Sequence, residues 1–220
     1  MKIYLLTVIA ILIGFIGHSQ TKSSQSQHYI LSSFSQGSIL LKDGTKQTGI
    51  LNFNALSKNF ALKKDNEIVG LSQSVINNID TVYLANRKFF RKDNTFYEFL
   101  LKSKIELYVE YTCDLSTATE GRNGYGSSSQ TASTTPLMSL ENQGNLYVLE
   151  LPEIYKATLD INYWLNKDNI LTKLKTVNQL KRVYTSLKKE IKAYRKTNIV
   201  DFKNPLSMLK LVKYLESLNK

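Results

Sequence analysis

The chain has 220 residues, with 29 Lys and Arg against 18 Asp and Glu, a formal net charge of +11, two His and one Cys. Its length is enough to bury about 70% of its unfolded surface in one core without covalent staples. A single cysteine excludes an intramolecular disulfide, and so few His and Cys exclude a four-ligand structural zinc site.

Met1-Lys2 supplies a positive charge, and an apolar run extends from Ile3 to Ile16. Gly17-His18-Ser19 then places small residues at the −3 and −1 positions before Gln20. This is the pattern of a secretory signal peptide over 1–19, cleaved after Ser19. The competing readings are an uncleaved anchor and a buried helix. The run is short of the ~20 residues that span a bilayer comfortably, so the mature chain is expected to have no transmembrane segment. No Cys lies near the cut, so a lipoprotein anchor is not supported. Polar residues continue from Thr21 to Gln27, and 20–33 reads as a flexible lead-in.

Residues 34–114 read as one antiparallel β domain. Ser38 to Lys42 runs into Asp43-Gly44, then Thr45 to Phe53; Asp-Gly between apolar runs is a strong hairpin signal. Gly49, inside the second run, suggests a bulge or sharp bend. Phe60 to Lys64, Asp65-Asn66 and Glu67 to Leu71 repeat the plan, followed by Asn78 to Leu84, Arg87 to Arg91 and Thr95 to Leu101. The best strand is Lys104 to Thr112. Ile105, Leu107, Val109 and Tyr111 alternate with Glu106, Tyr108 and Glu110, so one face is buried and the other is expected to be at least partly wet, with Glu106 and Glu110 on the solvent side. Turn signals every ~8–12 residues are the spacing of a small barrel or sandwich. Gaps this short leave no room for crossover helices.

A Ser/Thr/Gly-rich stretch over 115–143 reads as a mobile loop. Its Gly121-Arg-Asn-Gly124-Tyr-Gly126 lacks the Gly-Lys-Ser/Thr ending of a phosphate loop. Residues 144–165 are expected to hold the last strands, including Asn145 to Leu151 and a segment from Tyr155 to Leu165 with the one tryptophan, Trp164. The region 166–220 is expected to be helical. Thr176-Val-Asn-Gln179 fits a capping box. Val177, Leu180, Tyr184, Leu187, Ile191 and Tyr194 form one seam on a helix of about six turns, stopped at Asn198. Asn204-Pro205 opens a second helix with Met208, Leu211, Val212, Leu215 and Leu218 as its seam. The fold class is therefore α+β: an antiparallel β-meander forming a small barrel or sandwich, then an amphipathic helical hairpin docked on it. Few opposite charges flank the first seam, so pairing with a second copy is disfavoured and a monomer is expected.

Charge is uneven. Residues 20–152 hold 13 bases and 12 acids, while 153–220 hold 15 bases and 6 acids. Lys181, Arg182, Lys188, Lys189, Arg195 and Lys196 recur seven apart, which predicts a cationic stripe along a continuous helix. Such a stripe could meet nucleic acid, an acidic lipid headgroup, an anionic glycan or an acidic protein, with no sequence-specific nucleic-acid contact implied. An ordinary solvated helix face is the competing reading.

No catalytic, cofactor-binding or metal-ligating constellation emerges. His28 lies beside the lead-in, far from any evident nucleophile. Asp43, Asp65, Asp93 and Asn94 sit at turns, which turn propensity explains without calcium. Glu106 and Glu110 share a strand face, but four residues span ~13 Å. Glycosidase carboxylates sit about 5–9.5 Å apart, so this pair is too wide. Cys113 reads as a buried small hydrophobe, with intermolecular pairing or redox sensing as the alternatives. In Arg87-Lys-Phe-Phe-Arg91, bases interleave with rings; packing of the inward Phe is favoured over base stacking.

The Gly37…Asp43-Gly44…Gly49 hairpin, the Arg87-Lys-Phe-Phe motif, the basic two-helix tail ending at Lys220 and the export signal ending Ser-Gln resemble a group of secreted proteins of Bacteroidota-type Gram-negative bacteria. That group brings no assigned reaction. The β run also resembles small SH3-like or PRC-type barrels, a class used mainly for binding. The resemblance implies an exported, non-enzymatic binding or scaffold protein of the periplasm, cell surface or extracellular space. The alternatives are an anion binder acting through 181–196 and a hydrolase with carboxylates from separate strands.

Overall fold

The computed structural model describes residues 28–65, 67–117, 151 and 155–218. The signal peptide expected over 1–19, the expected lead-in up to residue 27, most of the loop expected over 115–143 and most of the strand expected from Asn145 lie outside the described residues.

The described residues form one antiparallel sheet of ten strands: β1 (Ser35–Leu41), β2 (Lys46–Asn54), β3 (Asn59–Lys64), β4 (Glu67–Gly70), β5 (Ile79–Leu84), β6 (Arg87–Lys92), β7 (Thr95–Lys102), β8 (Glu106–Thr117), β9 (Tyr155–Lys167) and β10 (Ile170–Leu174). The spatial order is β10-β9-β8-β7-β6-β5-β1-β2-β3-β4, so among the described strands β1 and β5 are the one pair not consecutive in the chain. A short helix, α1 (Gln73–Asn78), joins β4 to β5, where sequence reasoning expected strand from Asn78. The hairpin turns follow local chemistry. Ala85-Asn86, Asp93-Asn94 and Asp168-Asn169 each place two residues at positive φ, the geometry whose twist matches paired strands. At Asp43-Gly44, Gly44 has φ 87° and the Leu41 N–H donates to the Thr45 carbonyl at 2.8 Å.

The sheet folds back on itself. β2 and β8 lie five places apart, about 24 Å in a flat sheet. Yet the rings of Phe53 and Tyr111 are 6.5 Å apart, and Phe60 sits 5.3 Å from Phe89 and 5.1 Å from Phe96. The inner face of β2–β3 thus covers the inner face of β6–β8. The ladder does not close, because β4 pairs only with β3 and β10 only with β9. The structure is an open sheet rather than a closed barrel.

Helices cover the rest of the inner face. These are α2 (Val177–Val183), a 3-10 turn (Thr185–Leu187), α3 (Lys188–Thr197) and α4 (Pro205–Leu218). α4 lies on β7 and β8 and α2 on β10, and Phe202 meets Tyr163 at 5.9 Å. Leu180, Tyr184, Ile191, Met208, Leu211, Val212 and Leu215 are buried with the sheet's inner residues in one core, as a docked hairpin requires. The expected capping box forms at Thr176 and Gln179, and Asn204 caps α4 through a 3.0 Å bond from the Leu206 N–H.

Several expectations are corrected. The single six-turn helix is two helices, broken where Tyr184 adopts φ −102°, ψ 66°. Val183 and Thr185 are β-branched, hence weak helix formers, and the break lets Tyr184 stay buried and bond Glu216 at 2.9 Å. The region from 166 is not all helix: Asp168-Asn169 turns β9 into β10. Leu218 is exposed rather than part of the α4 seam. β8 continues to Thr117, past the expected loop start at 115. Residues 28–33, expected in the flexible lead-in, are fastened: His28 and Tyr29 are buried, the Ala55 N–H donates to the His28 carbonyl at 2.8 Å, and the Asn52 amide bonds Leu31. Gly49 sits opposite Gly37 in unbroken register, with no bulge.

Candidate functional site

A polar cleft of about 630 Å³ lies between the β2–β3 turn, α1 and the β6–β7 hairpin. Ser57, Lys58 and Asn59 come from the first, Gln73, Ile76 and Asn77 from α1, and Arg91, Asn94 and Phe96 from the hairpin. The fold explains their meeting. Pairing β1 with β5 brings α1 back across the sheet, and the folding-over brings the β2–β3 turn to the β6–β7 end. Phe96 is buried in the core, while Lys58 holds its turn with φ 53°.

Arg91 is the best-placed group in this cleft. Its Nη2 donates to Asn94 Oδ1 at 2.7 Å and its Nη1 to the Ile76 carbonyl at 3.4 Å. Its Nε is buried without a hydrogen-bond partner among the described residues. The cleft has two cations and no carboxylate, imidazole or thiol in its lining. It can hold a polar solute but presents no acid–base pair and no activated nucleophile.

The outer face of β6–β10, expected to be at least partly wet, carries an aromatic layer. Phe90, Tyr97, Phe99, Tyr108 and Trp164 pack on one another there, with neighbouring rings 4.8 to 6.5 Å apart. Glu110 is only 9% exposed and accepts from Trp164 Nε1 at 2.9 Å, with Lys173 at 3.7 Å. Glu106 accepts from the Tyr108 hydroxyl and from Asn166 Nδ2 at 2.8 Å. Those bonds hold Glu106 below the usual carboxylate range, Tyr108 contributing most. Burial, helped by Glu106, pushes Tyr108 up to about 12. Glu110, expected on the solvent side, is thus built into an aromatic layer as the acceptor for Trp164, while Glu106 stays partly exposed beside its cross-strand partner Asn166.

The predicted cations divide between two helices. Lys181 and Arg182 are on α2; Lys188, Lys189, Arg195 and Lys196 are on α3. The seven-residue spacing keeps its meaning only inside α3. Lys181 is half-buried and the other five are exposed.

Other candidates are structural. Arg87, read from sequence as part of a basic-aromatic motif, points to the inner face and clasps Glu98. Phe89 is the inward member of the Phe pair and Phe90 the outward one. His28 is fully buried, its ring 4.4 Å from that of Tyr29. Cys113 is half-buried, and burial pushes its thiol up to about 11. No group of three metal-ligating side chains occurs among the described residues, and none of their helices is long and apolar enough to cross a membrane.

Sequence reasoning missed the cleft because its residues come from three stretches that no motif links. Asp93-Asn94 was legible as a turn, but not as the group that would orient Arg91. No family model matches the chain, and neither does any curated protein or solved structure.

Proposed function

We propose that this chain is an exported, non-enzymatic binding protein of the periplasm or cell surface, and that its binding site is the cleft around Arg91. The supporting observation is the lining: amides and cations around about 630 Å³, with no acid, histidine or cysteine. A concave site with a few convergent polar groups is the usual form of a small-molecule site. Export rests on the pattern over residues 1–19, and likeness to the secreted Bacteroidota-type group belongs to the same proposal. A small closed barrel finds no support in the open ladder.

Amide NMR spectra of the mature chain, recorded with a panel of neutral and charged sugars and small acids, test the reading. Shifts clustered at Asn59, Gln73, Asn77, Arg91 and Asn94, with the added solute recovered unchanged, support it. Turnover of a solute, or a panel that leaves the cleft untouched, would remove it. N-terminal sequencing of secreted material tests export; a start at Met1 would sink that part.

One observation favours a second reading, anion binding by the tail. Arg182, Lys188, Lys189, Arg195 and Lys196 are exposed, and none has a salt bridge among the described residues. Binding to acidic vesicles should then fall steeply with salt and vanish when all six bases are neutralised. Hydrolysis has the least support, since Glu106 and Glu110 already serve as acceptors to Tyr108, Asn166 and Trp164.

A further inference from the structure

We infer that the cleft takes a small oxyanion, a carboxylate or phosphate group carried on a polar solute, held by the terminal N–H groups of Arg91 and by Lys58; this rests on the cleft being the binding site. Three of its four side-chain amides already use their oxygens: Asn59 Oδ1 accepts from the Phe60 N–H at 2.8 Å, Asn77 Oδ1 from Gln73 Nε2 at 3.0 Å, and Asn94 Oδ1 from Arg91 Nη2 at 2.7 Å. Asn59 Nδ2 donates to the Leu71 carbonyl at 3.4 Å, while the Nδ2 groups of Asn77 and Asn94 have no acceptor among the described residues.

Arg91 strengthens that bias. Asn94 and the Ile76 carbonyl each take one N–H of its two terminal nitrogens and fix the plane of the guanidinium, which leaves a second N–H on each. No acid pairs with its charge among the described residues. A charge-assisted bond to an oxyanion is the strongest acceptor contact available to it. Lys58 adds a second positive charge to the lining, and no carboxylate there competes for either. Asp93, next to Asn94 in sequence, occupies the hairpin tip and does not line the cleft. Lys42 approaches from the far end of α1, where its amine donates to the Asn77 carbonyl at 2.9 Å. A neutral solute would leave both cations unneutralised and the surplus donors only partly used.

The test uses the full mature chain and three probes: inorganic phosphate, glucuronate and its uncharged counterpart glucose. The readouts are the Arg91 Nε–H resonance, the Asn77 and Asn94 side-chain amides, and affinity by calorimetry. Glucuronate or phosphate should move all three resonances, and glucose should move none. Arg91→Gln should weaken anion binding roughly tenfold or more, the size of one charge-assisted hydrogen bond. Lys58→Gly should weaken it a few fold without straining the turn, since glycine accepts the positive φ there. Because Arg91→Gln also removes the ties to Asn94 and Ile76, the Lys58→Gly result keeps the inference testable if that variant unfolds.

Equal shifts from glucose and glucuronate would overturn the oxyanion inference while leaving the cleft as the binding site. Silence of every cleft resonance with all three probes would overturn both. Anion-induced shifts confined to the α2 and α3 bases would overturn the inference in favour of the tail.

Discussion

Arg87 holds Glu98 through two parallel hydrogen bonds, Nε to Oε1 at 2.8 Å and Nη2 to Oε2 at 2.7 Å, on the inner face of the sheet. The Tyr111 hydroxyl joins them, donating to Glu98 Oε2 at 2.6 Å, and the guanidinium lies 5.1 Å from the Tyr111 ring. Glu98 is 5% exposed, so its charge has little recourse to water. Breaking a buried pair leaves an uncompensated charge, which costs about 3–5 kcal/mol. Arg87→Met alone and Glu98→Leu alone should each lower stability by about that much in urea titration. The double variant should recover a good part of the loss, because apolar groups of similar size remove both desolvation penalties. Additive losses would show that the pair does not act as a unit.

The tyrosines set an alkaline limit. Burial raises Tyr108, Tyr111, Tyr163 and Tyr184 above the ordinary phenol value, with Glu106, Glu98 and Glu216 adding to it at Tyr108, Tyr111 and Tyr184. A group whose folded pKa is raised stabilises the fold below its unfolded value, near 10, and loses that contribution as pH climbs toward the folded one. For Tyr108 the window runs from about 10 to about 12. Phenolate absorbance should therefore titrate in two groups, the second appearing only as circular dichroism is lost. Glu106 works at the acid end with the opposite sign. Its folded pKa is lowered, so its contribution is full above the unfolded carboxylate value and fades as pH falls through the folded one. Glu106→Gln should flatten the acid limb of a stability–pH curve and leave the alkaline limb in place.

What could be read in the sequence followed local chemistry. Ile105, Leu107, Val109 and Tyr111 alternate, and all four are buried on one face. Thr176, Gln179, Asn204 and Pro205 mark helix starts by capping rules that need no distant partner. The failures needed tertiary information. Glu110 looked wet because its neighbours Trp164 and Lys173 arrive from strands more than 50 residues later. The helix break at Tyr184 depends on a hydroxyl partner in α4. The cleft depends on the β1–β5 pairing and on the fold-over that puts Phe60 beside Phe96. Asp168-Asn169 is different: its turn signal was present in the sequence, and the β9–β10 hairpin lies there.

Two glycines face each other across β1 and β2, and their neighbours differ in how far they can give. A Cβ on Gly37 would lie 2.8 Å from the Tyr83 carbonyl oxygen, which belongs to the adjoining backbone of β5. A Cβ on Gly49 would meet only the tip of Leu62, at 2.5 Å, and that side chain can turn away. Gly37→Ala should therefore cost about 1–3 kcal/mol, the range of overpacked sites. Gly49→Ala should cost clearly less. Thermal melts of the two single variants compare them directly, and a larger loss at Gly49 would contradict the close approach at Gly37.

Cys113 follows Thr112 on β8, opposite Leu159, and packs against the small apolar cluster of Leu56, Leu115 and Ala157. Burial is the largest cause of its raised pKa of about 11. Thiolate is the reactive form, and at pH 8 a thiol of that pKa is about one part in a thousand ionised. An ordinary exposed cysteine would be about a quarter ionised at the same pH. Native protein should thus react with a thiol reagent at least a hundredfold more slowly than urea-unfolded protein at pH 8. The native rate should climb about tenfold for each pH unit as long as the fold survives. A fast reaction at pH 8 that leaves circular dichroism unchanged would mean that Cys113 is both open and ionised, and would revive a redox role for it.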